Sequence, residues 1–232
     1  MIDEKKINDN LINFWNTTMN LSEEDKEQIK NEPNLDVKDL TPSSKLYDAI
    51  KELGVYDSVL DYGCGSGWAA LIASLNGDKN VDGVDIGENT IETAKFYNDL
   101  FKANVNFFSI NTNWLNKVNK KYDAIVCVNV LDVVTLNVSK NIINNLARVL
   151  KPHSKAVIGL NFYMSPEAAK ARNMDLVEDK YLFVDNILRL LSLSDEEWVN
   201  LFSPYFVVEK LDYFAWPNEA KETRRLFYLR RK

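Results

Sequence analysis

Val59-Leu60-Asp61-Tyr62-Gly63-Cys64-Gly65-Ser66-Gly67-Trp68 is the stretch whose reading decides the fold. A short apolar run reads as a buried strand, three alternate glycines as a tight turn, and Gly67 to Asn76 as a helix. Glycine lets a backbone approach a ligand closely and takes φ values that other residues resist. The unpaired N–H groups at the start of the helix favour a negative group. A second buried run, Val81-Asp82-Gly83-Val84-Asp85, ends on an acid eighteen residues beyond Gly67. A carboxylate there can accept both hydroxyls of a ribose. Strand, glycine turn, helix, strand and acid, in that order, describe a site for an adenosine-containing ligand.

The pattern continues downstream. Asn89 to Lys102 reads as a helix capped by Asn89, Val105 to Ile110 and Tyr122 to Val128 as strands, Val138 to Leu150 as a helix and Ser154 to Leu160 as a fifth strand. Such alternation predicts right-handed βαβ units and a parallel, doubly wound α/β sheet. The end differs. Ser194 caps a helix through Phe202, and two strand-like runs follow, Tyr205 to Phe214 and Thr223 to Leu229. Ala215-Trp216-Pro217-Asn218 between them has no room for a crossover helix, so an antiparallel hairpin is expected at one edge of the sheet. Upstream, Ile7, Leu11, Ile12, Phe14, Trp15 and Met19 recur at near-helical spacing, Ser22 opens a second helix, and Thr41-Pro42 opens a third that stops at Gly54. The expected organisation is a helical cap over 1–55 and a ligand-binding domain over 56–232.

The chain has 232 residues, 46% hydrophobic and 27% charged, which suits one domain with additions. No stretch approaches the roughly 18 apolar residues of a membrane span. Met1-Ile2-Asp3-Glu4-Lys5-Lys6 carries no apolar leader behind it, so a cytoplasmic protein with reduced Cys64 and Cys127 is expected. The net charge of −6 argues against a nucleic-acid partner, and the basic tail from Lys221 to Lys232 reads as the solvated face of a last strand. No Cys/His cluster has zinc spacing, so no metal is expected. The single His153 reads as a surface residue, which leaves little for a Ser-His-Asp or Cys-His mechanism.

The glycine spacing narrows the ligand. A dinucleotide site expects G-x-G-x-x-G, whereas here the glycines are 63, 65 and 67 and Trp68 follows. A Walker loop would need Gly-Lys-Ser/Thr, which is absent. Asp61 would repel a pyrophosphate and suits a cationic amine instead. With these residues in place, 56–161 resembles a class I S-adenosylmethionine-dependent methyltransferase. The resemblance implies a Rossmann-like, mostly parallel seven-stranded sheet whose last strand is antiparallel. It implies that Val59 to Gly67, with Asp61, Gly63, Cys64, Gly65 and Gly67, cradles the methionine part of the ligand, and that Asp85 binds its ribose. Ile86 would pack on the adenine, and Asn111-Thr112 stands where the family often has Asp-Ala near that ring. Tyr122 to Asp132 resembles the fourth motif, in which a backbone carbonyl of Val128 or Cys127 receives the ligand's amine. Leu150-Lys151-Pro152 resembles the run before the fifth strand.

The implied chemistry is an in-line displacement at a sulfonium methyl. Holding nucleophile and methyl in line in a water-poor pocket supplies much of the acceleration. Cys127-Val128-Asn129-Val130 lacks the runs typical of adenine-amino and cytosine-C5 methylation, and Cys127 reads as core. The expected acceptor is therefore a small polar metabolite. Methylation of a protein or RNA, and a non-catalytic S-adenosylmethionine-binding module, remain open at this point. A nicotinamide oxidoreductase is disfavoured by the glycine spacing. The stretch 162–193 exceeds a usual βα connection and reads as a lid with one or two helices, carrying Phe162, Tyr163, Met164, Met174, Tyr181 and Phe183. Candidates near the reacting atoms are Asn129, Tyr163 and Asp132, the last with a helix-capping alternative. Lys45 or Tyr47 could reach the methionine carboxylate.

Overall fold

The computed structural model describes residues 2–18, 20–77, 80–174 and 176–232; Met19 of the first helical pattern lies outside them. Five parallel strands form the centre: β1 Ser58–Tyr62, β2 Asn80–Asp85, β3 Val105–Ser109, β4 Tyr122–Val128 and β5 Leu150–Leu160. The order across the sheet is β3-β2-β1-β4-β5-β10-β9, where β9 is Phe206–Phe214 and β10 is Arg224–Arg231. β10 pairs antiparallel with both β5 and β9, which is the expected hairpin. β5 starts four residues earlier than the sequence suggests. Its register jumps from Tyr122↔Leu150 to Ala124↔Lys155, so Pro152 and an exposed His153 at φ 63° sit in an irregular first half.

Strand alternation supplies a core to each face of the sheet. Leu60, Ile125, Ile158 and Phe227 point to one side, while Val59, Ala124, Val126, Val157 and Leu226 point to the other. The first side is covered by α7 Leu136–Val149 and α9 Asp195–Phe202, the second by α3 Ser44–Lys51, α4 Trp68–Leu75 and α5 Glu88–Phe101. Ala69 to Ala73 are all buried, because α4 is pressed between the sheet, α3 and α5. The Ser22 box caps α2 Glu23–Lys30 and the Ser194 box caps α9, as expected. Asn89 does not cap α5. Gly87 holds that position, and the Asn89 amide donates to the Asn16 carbonyl, 3.1 Å away.

Within residues 1–55 the helices go to different places. α1 Glu4–Thr18 crosses the C-terminal ends of the strands, buries Ile7 and Leu11, and is tied down along its length. Asn137 Nδ2 donates to Glu4 Oε1 at 2.9 Å, and Thr90 Oγ1 to the Trp15 carbonyl at 3.4 Å. α3, by contrast, belongs to the layer on the second face.

The stretch 162–193 holds one helix, within the expected one or two, and a small sheet that the sequence reading does not anticipate. It forms α8 Pro166–Ala171 and then a three-stranded antiparallel sheet, β6 Leu176–Val177, β7 Tyr181–Val184 and β8 Ile187–Leu191. Asp185 and Asn186, at φ 50° and 62°, make the two-residue turn between β7 and β8. Met164, Ala169, Leu182 and Leu190 form a small core of its own, against which Phe162 and Met174 pack. The short α6 Trp114–Lys117 and two 3₁₀ helices, Val37–Leu40 and Glu52–Val55, complete the described elements.

The basic tail is not a solvated face. Arg225 is 1% exposed and donates to the Asn161 and Leu193 carbonyls. Arg230 pairs with Glu209, and Arg231 and Lys232 bind the Leu150 and Ser203 carbonyls. The last strand is second from the sheet edge, between β5 and β9, so its long side chains reach neighbouring carbonyls and carboxylates.

Candidate functional site

Strand order reverses between β1 and β4, and a crevice opens beyond the C-terminal ends of a parallel sheet at such a point. A cavity of about 620 Å³ lies there. Its floor is the glycine turn. Gly63, Gly65 and Gly67 all lie in the left-handed region, at φ 72°, 53° and 86°. The Gly63 and Cys64 N–H groups both donate to the Val84 carbonyl, at 2.8 and 3.0 Å, which draws the turn onto the end of β2. A Cβ on Gly63 would collide with Val130, and one on Gly67 would come within 2.6 Å of Phe107. Gly63, Cys64, Gly65 and Ser66 line the cavity, whereas Gly67 faces the core as the N-cap of α4.

Asp85 closes the turn from the β2 side. Its Oδ2 accepts from the Gly65 N–H at 3.1 Å and its Oδ1 from the Gly87 N–H at 2.9 Å. Burial pushes its pKa up, and these backbone donors oppose the shift. Each oxygen keeps a further lone pair toward the cavity, which Asp85 lines beside Ile86 and Thr90.

Asp61 behaves differently from the expectation of a partner for a cationic amine. It is 2% exposed, does not line the cavity, and accepts from the Ala70 N–H at 3.1 Å. Gly67 has no side chain with which to cap α4, so Asp61 takes one of that helix's free N–H groups from the adjacent strand. Burial drives its pKa up to about 7. Asn111 also turns away. Its Oδ1 accepts from the Asn113 N–H at 3.0 Å, and Ile110, Thr112 and Asn113 line the cavity in its place.

On the β4 side, Val128, Asn129 and Val130 line the cavity. Asn129 sits at φ 56°, in the left-handed region, and its buried Oδ1 has no partner in the protein. A residue held there without glycine's freedom is a strained feature of the kind found at functional sites. Tyr163 is 46% exposed and is not in the cavity wall. Asp132 is fully buried and caps nothing: it accepts from the Asn161 N–H, joining the ends of β4 and β5, while Thr135 is the N-cap of α7. Lys45 is bound to Glu222, 2.6 Å away, and to the Tyr213 carbonyl, and the Tyr47 ring lies under Lys38. Neither reaches the cavity. Cys127 is buried in the core, where burial pushes its thiol pKa up and leaves it inert.

Further lining residues are not singled out by the sequence reading, although α1 lies in the 1–55 cap and Arg189 in the 162–193 lid that it expects over the ligand. α1 lays Asn8, Leu11, Ile12 and Trp15 over the cavity. Asn161, just beyond β5, and Trp216 and Arg224, from either end of the loop joining β9 to β10, form one wall, and Arg189 of β8 a further part. The Arg224 guanidinium stacks on Trp216 with its carbon 4.9 Å from the ring centroid, and donates to Glu219 and to Asn161 Oδ1. Only Arg189 had a local signal, the Asp185-Asn186 turn between two apolar runs.

Comparison with known proteins agrees with this geometry. Residues 59–153 match the family model described as "Methyltransferase domain". A ubiquinone biosynthesis O-methyltransferase from Coxiella burnetii is 30% identical over 128 residues, 54% of this chain and 50% of that one. A ribosomal protein L11 methyltransferase from Lactobacillus gasseri is 34% identical over 148 residues, 62% of this chain and 41% of that one. The match thus spans half the length of these relatives or less. Among solved structures, a magnesium protoporphyrin IX methyltransferase from Synechocystis with bound S-adenosylmethionine superposes with a TM-score of 0.65 at 15% identity, over 100% of this chain and 99% of that one. The fold is the Rossmann-like methyltransferase fold, and the resemblance to class I S-adenosylmethionine-dependent methyltransferases read from the motifs holds for the core of the chain.

Proposed function

We propose that this chain, with its methyltransferase-domain core, transfers a methyl group from S-adenosylmethionine to a small polar metabolite by in-line displacement. The observation that carries the reading is one cavity bounded by a glycine turn and Asp85 on one side and by the amides of Asn129 and Asn161 on the other. The residues present fit the cofactor. Gly63 and Gly65 line the cavity with backbone alone, Asp85 offers two carboxylate oxygens to the ribose hydroxyls, and Ile86, Ile110 and Val133 offer apolar faces for an adenine. Thr112 lies beside that position and the Val128 carbonyl is suited to the amine. Asp61 serves the cofactor indirectly, by holding the start of α4 against the turn. Bound there, S-adenosylmethionine supplies a methyl carbon on a sulfonium, whose sulfur takes up the bonding electron pair as the acceptor bonds to that carbon.

The chain's own residues bind, orient and exclude water. Leu11, Ile12 and Trp15 of α1 roof the cavity, and Val130, Val133 and Val134 line it, so reacting groups would meet few waters. Asn129 lines the cavity with an Oδ1 that has no partner in the protein, and it is read as the group that orients the acceptor. The helix across the cavity favours a small acceptor over the protein substrate named for the L11 relative. α1 and the 162–193 insertion together are read as the cover of a single ligand-binding domain. Among the described residues no helix is long and apolar enough to cross a membrane, and the buried free thiols of Cys64 and Cys127 suit a reducing cytoplasm.

Titration calorimetry with S-adenosylmethionine, its demethylated product and NAD, on the wild type and Asp85→Ala, tests the reading. Micromolar binding of the first two, lost in the variant, is expected. Binding of NAD alone, or of none, would overturn it.

A further inference from the structure

The cavity wall carries few charged side chains. Among the described residues that line it, Asp85 is the sole acid, and Arg189 and Arg224 are the bases. Arg224 is already neutralised. Its Nε and Nη2 donate to Glu219, at 2.8 and 2.6 Å, and its Nη1 donates to Asn161 Oδ1. Arg189 is not. Its guanidinium carbon lies 4.6 Å from the centroid of the Phe14 ring and 5.9 Å from that of Trp15, and no carboxylate among the described residues pairs with it. Aromatic faces fix a guanidinium in place and leave its charge and its in-plane donors available.

The strand that carries Arg189 is anchored at both ends. Asn10 Nδ2 donates to the Asn186 carbonyl at 3.4 Å, beside the start of β8, and the Leu191 N–H donates to the Asp132 carbonyl at 2.7 Å, at its end. The guanidinium is therefore presented at the cavity by two elements, α1 and β8. One belongs to the roof and the other to the wall, and both are remote in sequence from the glycine turn.

We infer that Arg189 recognises an anionic group, a carboxylate or a phosphate, on the methyl acceptor, and that the acceptor is an organic acid with an apolar body. The inference rests on the methyltransferase reading above. S-adenosylmethionine carries a sulfonium and an ammonium against one carboxylate, a net positive charge. With Asp85 facing the ribose and Arg224 paired to Glu219, the occupied cavity is still bordered by Arg189, exposed and without a carboxylate partner among the described residues. An anionic acceptor removes that imbalance, and a cationic one would add to it. A guanidinium matches a carboxylate or phosphate with two parallel donors. The neighbouring wall of Leu11, Trp15, Val130, Val134 and Val138 suits the apolar remainder of such a molecule.

Four ring fragments of one size test this by ligand-observed NMR, with saturating demethylated cofactor product present: benzoate, phenyl phosphate, benzamide and benzylammonium. The wild type is expected to bind benzoate or phenyl phosphate about tenfold more tightly than benzamide, the worth of a charge-assisted hydrogen bond, and benzylammonium least. Which anion binds better separates carboxylate from phosphate. Arg189→Met keeps the apolar stem against Phe14 and is expected to erase the preference without weakening cofactor-product binding. Arg189→Lys is expected to restore part of it. Equal binding of the four fragments by the wild type would overturn the inference and leave the methyltransferase reading intact. Loss of cofactor-product binding in a folded Arg189→Met would overturn it too, by assigning the guanidinium to the cofactor. Failure of the wild type to bind the cofactor product would remove both.

Discussion

Between Tyr62 and Trp68, six of seven consecutive residues line the cavity, with only Gly67 turned away. The opposite wall takes Asn129, Asn161, Arg189, Trp216 and Arg224, and the roof comes from a helix that begins at Glu4. One wall is backbone bent by glycines within a single strand–turn–helix unit. The other is side chains delivered by separate segments that meet only when the sheet, the insertion and α1 are all in place. The first construction is pinned by the Val84 carbonyl and the Asp85 carboxylate, which accept from the Gly63, Cys64 and Gly65 N–H groups, and it suits a ligand of constant shape. The second can change one side chain at a time without disturbing the fold, and it suits whatever differs between substrates.

Substitutions can break or sharpen that contrast. Gly63→Ala strikes the backbone wall hardest, since the new Cβ meets Val130 at a φ of 72°. Cofactor affinity is expected to fall about a hundredfold or more, with about 2–3 kcal/mol of stability lost, as read by calorimetry and thermal unfolding. Retained affinity would mean the turn does not touch the ligand.

Asp61 tests whether the acid behind the turn serves the helix. Burial raises its pKa to about 7 in the folded chain, against about 3.9 when unfolded. Between those values the folded state holds a proton that the unfolded state has released, so stability falls as pH rises through the window and the penalty is complete above its upper end. In Asp61→Asn the amide oxygen can still accept from Ala70, and the titration is gone. Denaturant melts from pH 4 to 8 are expected to show the wild type losing about 2–4 kcal/mol more than the variant. Parallel curves would contradict the assignment.

Asn129 tests the side-chain wall. Glycine at a φ of 56° relieves the left-handed strain, so Asn129→Gly is expected to gain about 0.5 kcal/mol while methyl transfer drops about tenfold. Unchanged turnover would show that the amide positions nothing. The smallest effect belongs to the insertion. Asn186→Gly in its two-residue turn is expected to add a few tenths of a kcal/mol and leave cofactor affinity unchanged, since the hairpin is specified locally.

Legibility followed the same division. Tyr122–Val128 read correctly to the residue because apolar strands bounded by turns carry their own signal. The three-stranded insertion was hidden by its aromatics, which suit helix or strand equally until Asp185-Asn186 is recognised as a hairpin turn. Asn89 and Asp132 both looked like caps. Gly87 and Thr135 hold those positions, because where a helix starts is set by how it meets the sheet. Lys45 looked like a cofactor contact and is an ion pair to Glu222, a partner too distant in sequence to anticipate.

What the amino-acid order determined by itself was the alternation of strand and helix, the glycine turn and the acid at the end of β2, since each depends on residues near one another in the chain. Tertiary structure alone decided which carboxylate faces the cavity. Asp85 ends β2 and Asp61 stands one residue before the end of β1, yet the first lines the cavity and the second is turned under α4. It also decided that α1 is a roof, that Arg224 is neutralised by Glu219, and that Arg189 is held on Phe14 and Trp15 with its charge exposed to the cavity. The reason is that side-chain direction and charge pairing are set by whichever element packs nearby, and packing partners are chosen by the fold as a whole.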